Sequence, residues 1–233
     1  MSIEHGKYIV LEGGEGCGKD TQLEFVAEWL KEELNTEPVV VREPYDDPFF
    51  GKFIVDLLNS EDPRHDFNSL DYWQQALAFT GARRGIAKQI VNHLKNGLWV
   101  LSSRSYESTI VYQGLAAGIE SSIELDQLRG VARNIGVGVE GGPVYPDMVL
   151  ILDVDPLIAA QRIEGRKKDV FDSKPSEFHQ KVRRGYLLEA EHSNIGDGFK
   201  IDREIIDANQ SEQDVFEHIL EAVNKLTQGA RVD

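Results

Sequence analysis

The sequence predicts a three-layer α/β fold, a parallel β-sheet covered on both faces by helices. Three observations carry that reading. Short, near-continuous apolar runs recur along the chain, segments of helical periodicity lie between them, and a phosphate-loop pattern joins the first run to the first helix. Apolar runs without alternation suit strands buried on both faces, because neither side of the pleat meets water.

The elements follow in order. Tyr8–Leu11 reads as the first strand, followed by the loop Gly13-Gly14-Glu15-Gly16-Cys17-Gly18-Lys19-Asp20-Thr21. A helical pattern begins at Gln22, with Leu23, Val26, Ala27, Leu30 and Leu34 on one face and a stop at Asn35 and Pro38. Val39–Val41 is the second strand, and Glu43–Pro48, with two prolines, cannot be regular structure. A long helix is expected from Leu70 to Leu94, ending at Asn96-Gly97, and a third strand at Trp99–Ser102. Further helices are expected over Ile123–Val137, Pro156–Gly165, Glu177–Glu191 and Gln213–Leu226, with strands at Met148–Leu152 and Ile205–Ile206. Two loops stand out: the glycine-rich Gly136–Pro146, and Arg166–Pro175, which gathers positive charge in an acidic chain. No repeat, low-complexity tract or domain boundary interrupts residues 1–233, so one domain is expected.

Composition narrows the function classes. The 41% hydrophobic and 28% charged residues suit a folded chain and exclude wholesale disorder. A formal net charge of −15 argues against general affinity for nucleic acid or anionic membranes, though not against a local basic pocket. The single cysteine, Cys17, cannot form an internal disulfide. No apolar run approaches the roughly 20 residues needed to span a bilayer, and Met1–Lys7 lacks the apolar segment of a signal peptide. A cytoplasmic protein is expected.

The loop Gly13–Thr21 carries the chemistry. Gly-x-x-x-x-Gly-Lys between strand and helix turns successive backbone N–H groups toward a phosphate, and the helix dipole and Lys19 add positive potential. This identifies a nucleotide-phosphate binder and leaves GTPase, ATPase and kinase open. Asp20 stands where a Ser or Thr hydroxyl would ordinarily reach Mg²⁺. Cys17 reads as a small residue filling the loop.

Other blocks go further. The string Val10–Lys19, then Arg42-Glu43-Pro44, Phe79-Thr80-Gly81-Ala82-Arg83, Ser103–Thr109 with Tyr112-Gln113-Gly114, Pro146-Asp147, Leu152–Pro156 and Ile206-Asp207-Ala208 together resemble the thymidylate kinases, in the family's order and over almost the whole chain. The resemblance implies a P-loop nucleoside monophosphate kinase fold with a five-stranded parallel sheet, transfer of the γ-phosphoryl group of ATP to dTMP with Mg²⁺, and a homodimer. It implies that Lys19 and the loop amides hold the β- and γ-phosphates. Arg104 would bridge acceptor and transferring phosphoryl groups, and Arg42 would contact the acceptor phosphate or order its loop. Phe79 would stack on thymine, Arg83 would donate to its O4, Thr109 and Gln113 would meet the base edge, and Glu15 would lie near the sugar 3′-hydroxyl. Arg166, aided by Lys167 and Lys168 in a lid over about 166–175, would stabilise transition-state charge, as in bacterial-type members; Arg162 also falls at the lid.

The chain departs from the family in places. Val170 replaces a frequent lid arginine, and Tyr45-Asp46-Asp47 stands in place of a Gly-Gly-Thr loop. A basic residue expected in the next helix is Val55, with Lys52 as a possible substitute. Ser103 occupies the place of a strand-end aspartate. With Asp20 it suggests a reciprocal exchange that keeps one carboxylate near Mg²⁺; the competing reading makes Asp20 a helix cap. Two functional rivals stand beside dTMP kinase: a kinase of the same fold with another acceptor, and a nucleotide-binding regulator without turnover.

Overall fold

The computed structural model describes residues 6–35, 37–136, 144–192 and 201–230. Five strands, β1 (Tyr8–Glu12), β2 (Val39–Arg42), β3 (Val100–Ser103), β4 (Met148–Asp153) and β5 (Asp202–Asp207), form one sheet of order β2-β3-β1-β4-β5, parallel throughout. Tyr8 and Val10 point into one buried cluster while Ile9 and Leu11 point into another, so β1 is apolar at every position because both its faces are covered.

On the side of Ile9 and Leu11 pack α1 (Lys19–Leu34) and α8 (Glu212–Ala230), through Leu23, Val26, Leu30, Ile219 and Val223. The other face is covered by residues of α2 (Phe50–Leu58), α3 (Tyr72–Lys95), a short helix α4 (Tyr106–Thr109) continued by a π-helical stretch Ile110–Leu115, α5 (Ser122–Gly136) and α7 (Ser176–Glu191). The remaining helix, α6 (Pro156–Arg162), starts from an Asp155 side-chain cap with proline at its first position. Helix α3 starts at a full capping box, Asp71 bonding the Gln74 N–H while the Gln74 side chain bonds back.

Buried charge ties the second face together. Arg203 on β5 and Glu107 on α4 pair at 2.7 Å with 2% and 0% of their side chains exposed, and Arg129 on α5 bonds the equally buried Glu189 on α7.

Three elements differ from expectation. Strand β5 is three residues longer at its start than its apolar core, because Asp202 and Glu204 are charged residues of an edge strand and Arg203 turns inward to its buried pair with Glu107, so no apolar run marks them. Helix α2, expected only through the resemblance as the helix that holds Val55, has just Lys52 and Asp56 as its polar side. With Phe50 and Phe53 exposed while Ile54 and Leu58 are buried, apolar spacing alone does not mark its buried face. The segment 106–115 is buried almost throughout, which removes the polar face that periodicity needs. Of the glycine-rich loop Gly136–Pro146, residues 137–143 lie outside the described residues, and these include Val137, the last residue of the helix expected over Ile123–Val137.

Candidate active site

The connections set the place of the site. From β1 the chain crosses to β2 on one side of the sheet, and from β3 it crosses to β4 on the other. Adjacent strands whose connections diverge leave a crevice at their carboxyl ends, where open α/β sheets bind ligands. The loop after β1 and Arg104 after β3 flank that crevice. The cleft there has a cavity volume of about 490 Å³ and is lined by Lys19, Asp20, Arg42, Arg83, Arg104, Arg166 and Lys167 among others.

Backbone geometry explains the loop's glycines. Gly16 has φ +72°, and a Cβ there would meet the Ala159 carbonyl oxygen at 2.6 Å; Gly18 has φ +87° and is the N-cap of α1. Cys17 is buried among core side chains and fills the loop as expected. Lys19 is buried, its Nζ donating to the Gly14 carbonyl at 3.4 Å.

Arg104 is the most constrained residue. Its φ of +73° is left-handed, which costs a side-chain-bearing residue of order 1 kcal/mol or more and is a frequent mark of functional sites. Its N–H donates to the Leu11 carbonyl at 3.0 Å, and its carbonyl accepts from Ser102 Oγ at 2.9 Å. The guanidinium lies over the Tyr112 ring at 5.1 Å and donates to Glu15 Oε1 at 2.5 Å and Ser108 Oγ at 3.1 Å. Burial opposes ionisation of Glu15, but the Arg104 and Lys19 charges and the Tyr112 hydroxyl outweigh it and hold its pKa down to about 2. Glu15 is therefore a fixed carboxylate at neutral pH.

On the opposite wall Arg83 and Phe79 lie one turn apart on α3. Arg83 is only 5% exposed: Nε donates to Glu43 at 2.7 Å and Nη1 to Thr109 Oγ1 at 3.1 Å. Burial pushes the Glu43 carboxyl up to about 7 despite the opposing Arg83 charge. Phe79 is half-buried, edge-on to Phe67 at 6.0 Å and tilted against Phe171 at 6.3 Å. Gln113 is buried beside it and lines the same cleft.

The segment between α6 and α7 closes the third side. Phe171 is buried against Phe67, Phe79, Tyr112 and Phe178, so this segment is docked by an aromatic plug. Arg166 stays exposed at the cleft and pairs with Asp172 at 2.9 Å.

Against this geometry the comparisons are decisive. The thymidylate kinase family model matches residues 11–219. The chain belongs to the thymidylate kinase family. It is 34% identical over 224 residues to a thymidylate kinase of Marinomonas sp. (strain MWYL1), covering 96% of each chain. It is 30% identical to one from Carboxydothermus hydrogenoformans, covering 86% of this chain and 93% of that one. A third, from Chlamydia trachomatis serovar L2, is 36% identical over 79% of this chain and 85% of its own length.

Within this family's frame, several sequence expectations need correcting. Arg42 is not among them: it lines the cleft, its guanidinium paired with Glu24 of α1 at 3.1 Å and its backbone N–H donating to Asp46 Oδ2 of the following loop at 2.6 Å. Arg162 is held away from the lid, donating to the carbonyls of Ala208 at 2.8 Å and Gln210 at 3.1 Å. Lys52 does not line the cleft; its exposed ammonium pairs with Asp56 one turn on, so it is no substitute for a basic residue at Val55. Asp20 is not the helix cap, since Gly18 holds that position; instead Ser103 Oγ donates to Asp20 Oδ1 at 2.8 Å. Thr21, the last residue of the loop motif, is half-buried in the first turn of α1.

Sequence reasoning missed Leu58 and Asn59, which also line the cleft, and marked Tyr45 only as part of an altered loop and Asp169 and Phe171 only as part of the lid. Tyr45 and Asp169 sit in irregular segments where no periodicity marks a facing. The one available signal was for Phe171, a large aromatic inside a charged run.

Proposed function

We propose that this chain is an ATP-dependent dTMP kinase that makes dTDP and ADP. The observation that carries this reading is one cleft in which the phosphate loop, Arg104, the Phe79–Arg83 wall and Arg166 converge, in a chain of the thymidylate kinase family. Residues 1–233 then form one kinase domain with a lid over 166–175.

In this reading the loop amides of Gly13–Gly18 and the Lys19 ammonium hold the β- and γ-phosphates of ATP, with Asp20 and Thr21 at the helix start below them. Phe79 offers its face to thymine, Arg83 donates to the base, and Thr109 and Gln113 meet its edge. Glu43 and Thr109 already fix the Arg83 guanidinium before substrate arrives. Glu15 stands at the sugar 3′-hydroxyl. An oxygen of the dTMP phosphate bonds to the γ-phosphorus as the bond to the β–γ bridging oxygen breaks. Arg104 and Arg166 stabilise the charge spread over the transferring group, a contribution of electrostatics and positioning with no covalent intermediate.

Mg²⁺ fits the residues present. Asp20 is exposed at the cleft with Oδ1 fixed by Ser103, which leaves the other carboxylate oxygen for a hard cation. No cluster of three or more metal-binding side chains occurs among the described residues, so phosphate oxygens and water would supply the other ligands. Held by Asp20, the ion would supply positive charge that offsets that of the ATP phosphates. A homodimer working in the cytoplasm completes the proposal.

The test is a panel of nucleoside monophosphates and nucleosides with ATP and Mg²⁺, read by ADP release and product chromatography. Preference for dTMP is expected. Preference for another acceptor, or nucleotide binding without phosphorylation, overturns the reading.

A further inference from the structure

Glu12, the last residue of β1, has no part in the site as described so far, although its side chain is 0% exposed and lies directly before the phosphate loop. Every hydrogen bond it accepts comes from a neutral donor. Oε1 takes the Ser105 N–H at 2.7 Å, Ser105 Oγ at 2.8 Å and the Ser108 N–H at 3.3 Å; Oε2 takes Ser108 Oγ at 2.7 Å and Tyr186 OH at 2.9 Å. A buried carboxylate satisfied only by dipoles is costly to keep, which asks what it does there.

The two hydroxyls on Oε2 answer. Each carries one proton. Given to Glu12, those protons leave the oxygen lone pairs of Ser108 and Tyr186 for other donors; the two hydroxyl oxygens also lie 2.9 Å apart, so either could donate to the other once released from Glu12. Both oxygens stand next to Arg104 Nη1, at 3.1 Å and 3.4 Å. The Oε1 bonds act on the same residue from the backbone side, because they pin Ser105, the residue that follows the left-handed Arg104.

We propose that Glu12 is a positioning residue for Arg104: through Ser108 and Tyr186 it presents two acceptors to the guanidinium, and through Ser105 it holds the backbone that aims it. This rests on the dTMP kinase reading, because Arg104 is there the group that touches the acceptor phosphate. The relay is polar in one direction only. An amide in place of the carboxylate presents N–H toward the hydroxyls and releases their two protons; the contact between the hydroxyls can take one, so the other turns toward Arg104 and at most one acceptor still faces the guanidinium.

The experiment measures dTMP and ATP dissociation constants by calorimetry for the wild type, Glu12→Gln and Tyr186→Phe, each also made in an Arg104→Met background. Glu12→Gln is expected to weaken dTMP binding about tenfold and Tyr186→Phe a few-fold, the scale of hydrogen bonds to a charged group. ATP binding should change by less than about threefold, since the phosphate loop keeps its glycines and Lys19. In the Arg104→Met background both changes should leave the dTMP constant nearly unmoved, because the group they position is gone. A structural role for Glu12 would weaken both nucleotides together, or act by the same factor in both backgrounds, and either result overturns the inference. So does an unchanged dTMP constant in both variants. If Glu12→Gln fails to fold, Tyr186→Phe, which keeps the buried ring, carries the same cycle. A wild-type chain that does not bind dTMP overturns the functional reading and this inference with it, whereas wild-type binding that the variants leave intact overturns this inference alone.

Discussion

Glu43 shows how a single buried carboxyl can be both structural clamp and titrating group. It is faced by Arg83 from α3, Glu12 from β1 and Arg104 from the end of β3, and burial outweighs the cations in raising its pKa from 4.5 to about 7. A carboxyl that holds its proton more tightly when folded stabilises the fold fully below its unfolded pKa and loses that contribution as the pH rises through its folded one. The stability of the wild type relative to Glu43→Gln should therefore fall between about pH 4.5 and 7, by at most about 3 kcal/mol, and stay level above. Urea unfolding across that range checks it, and a difference independent of pH would show that Glu43 does not titrate there. Asp20 and Ser103 make the second residue-scale case. Their 2.8 Å contact brings carboxylate and hydroxyl to the same point whichever residue carries which. Asp20→Ser is expected to weaken Mn²⁺ binding to the ADP complex, read by electron paramagnetic resonance, and adding Ser103→Asp to restore it. No recovery in the double variant would sink the exchange. The sequence showed both oddities; only the fold showed that they touch.

At the scale of elements, the lid is held by packing as much as by charge. The run Arg166-Lys167-Lys168 is legible in the sequence, but the residue that seats it is Phe171, buried among rings from the segment before α3, from α3, the π-helical stretch and α7. Phe79, expected to meet the base, touches the same plug. Phe171→Ala removes that anchor at a cost of about 3–5 kcal/mol if the site cannot collapse. Because the lost contacts are local, proteolysis should cut within 166–175 faster while the core helices stay protected, and the KM for both nucleotides should rise. Unchanged cleavage and KM would mean that the ion pair of Arg166 with Asp172 alone seats the segment. Strands β1 to β4 were readable because burial on both faces leaves apolar runs. Strand β5 was only half readable and α2 only through the resemblance that placed Val55 in a helix, because β5 carries charge where an apolar run was sought, and α2 carries exposed phenylalanine where a polar face was sought.

At the scale of the whole molecule, the formal charge of −15 and the cleft disagree in a useful way. The cleft is lined by Lys19, Arg42, Arg83, Arg104, Arg166 and Lys167 against Glu15, Asp20, Glu43, Asp169 and Asp172, six cations to five anions in a strongly acidic chain. An anionic ligand thus meets a comparatively favourable field near the phosphate loop, while the net charge of the chain repels polyanions. That same exterior makes the surface of α2 conspicuous. Phe49 is 83% exposed, Phe53 61% and Phe50 54%, three large rings within five residues, and Leu77 on the neighbouring α3 is 53% exposed. Isolated apolar side chains on a surface need no explanation, but contiguous aromatics do. A second copy of the chain, the assembly proposed for this family member, would cover them by two-fold pairing, and since α2 also contributes Leu58 to the cleft, loss of the dimer should reach the site. Sedimentation of the wild type at micromolar concentration is expected to give a dimer. Phe53→Glu, which places two carboxylates in the paired face, should shift it to monomer and raise the KM for dTMP while leaving the far-ultraviolet circular dichroism unchanged. A wild type that sediments as monomer, or a Phe53→Glu variant that remains dimeric, would show that these rings serve another purpose.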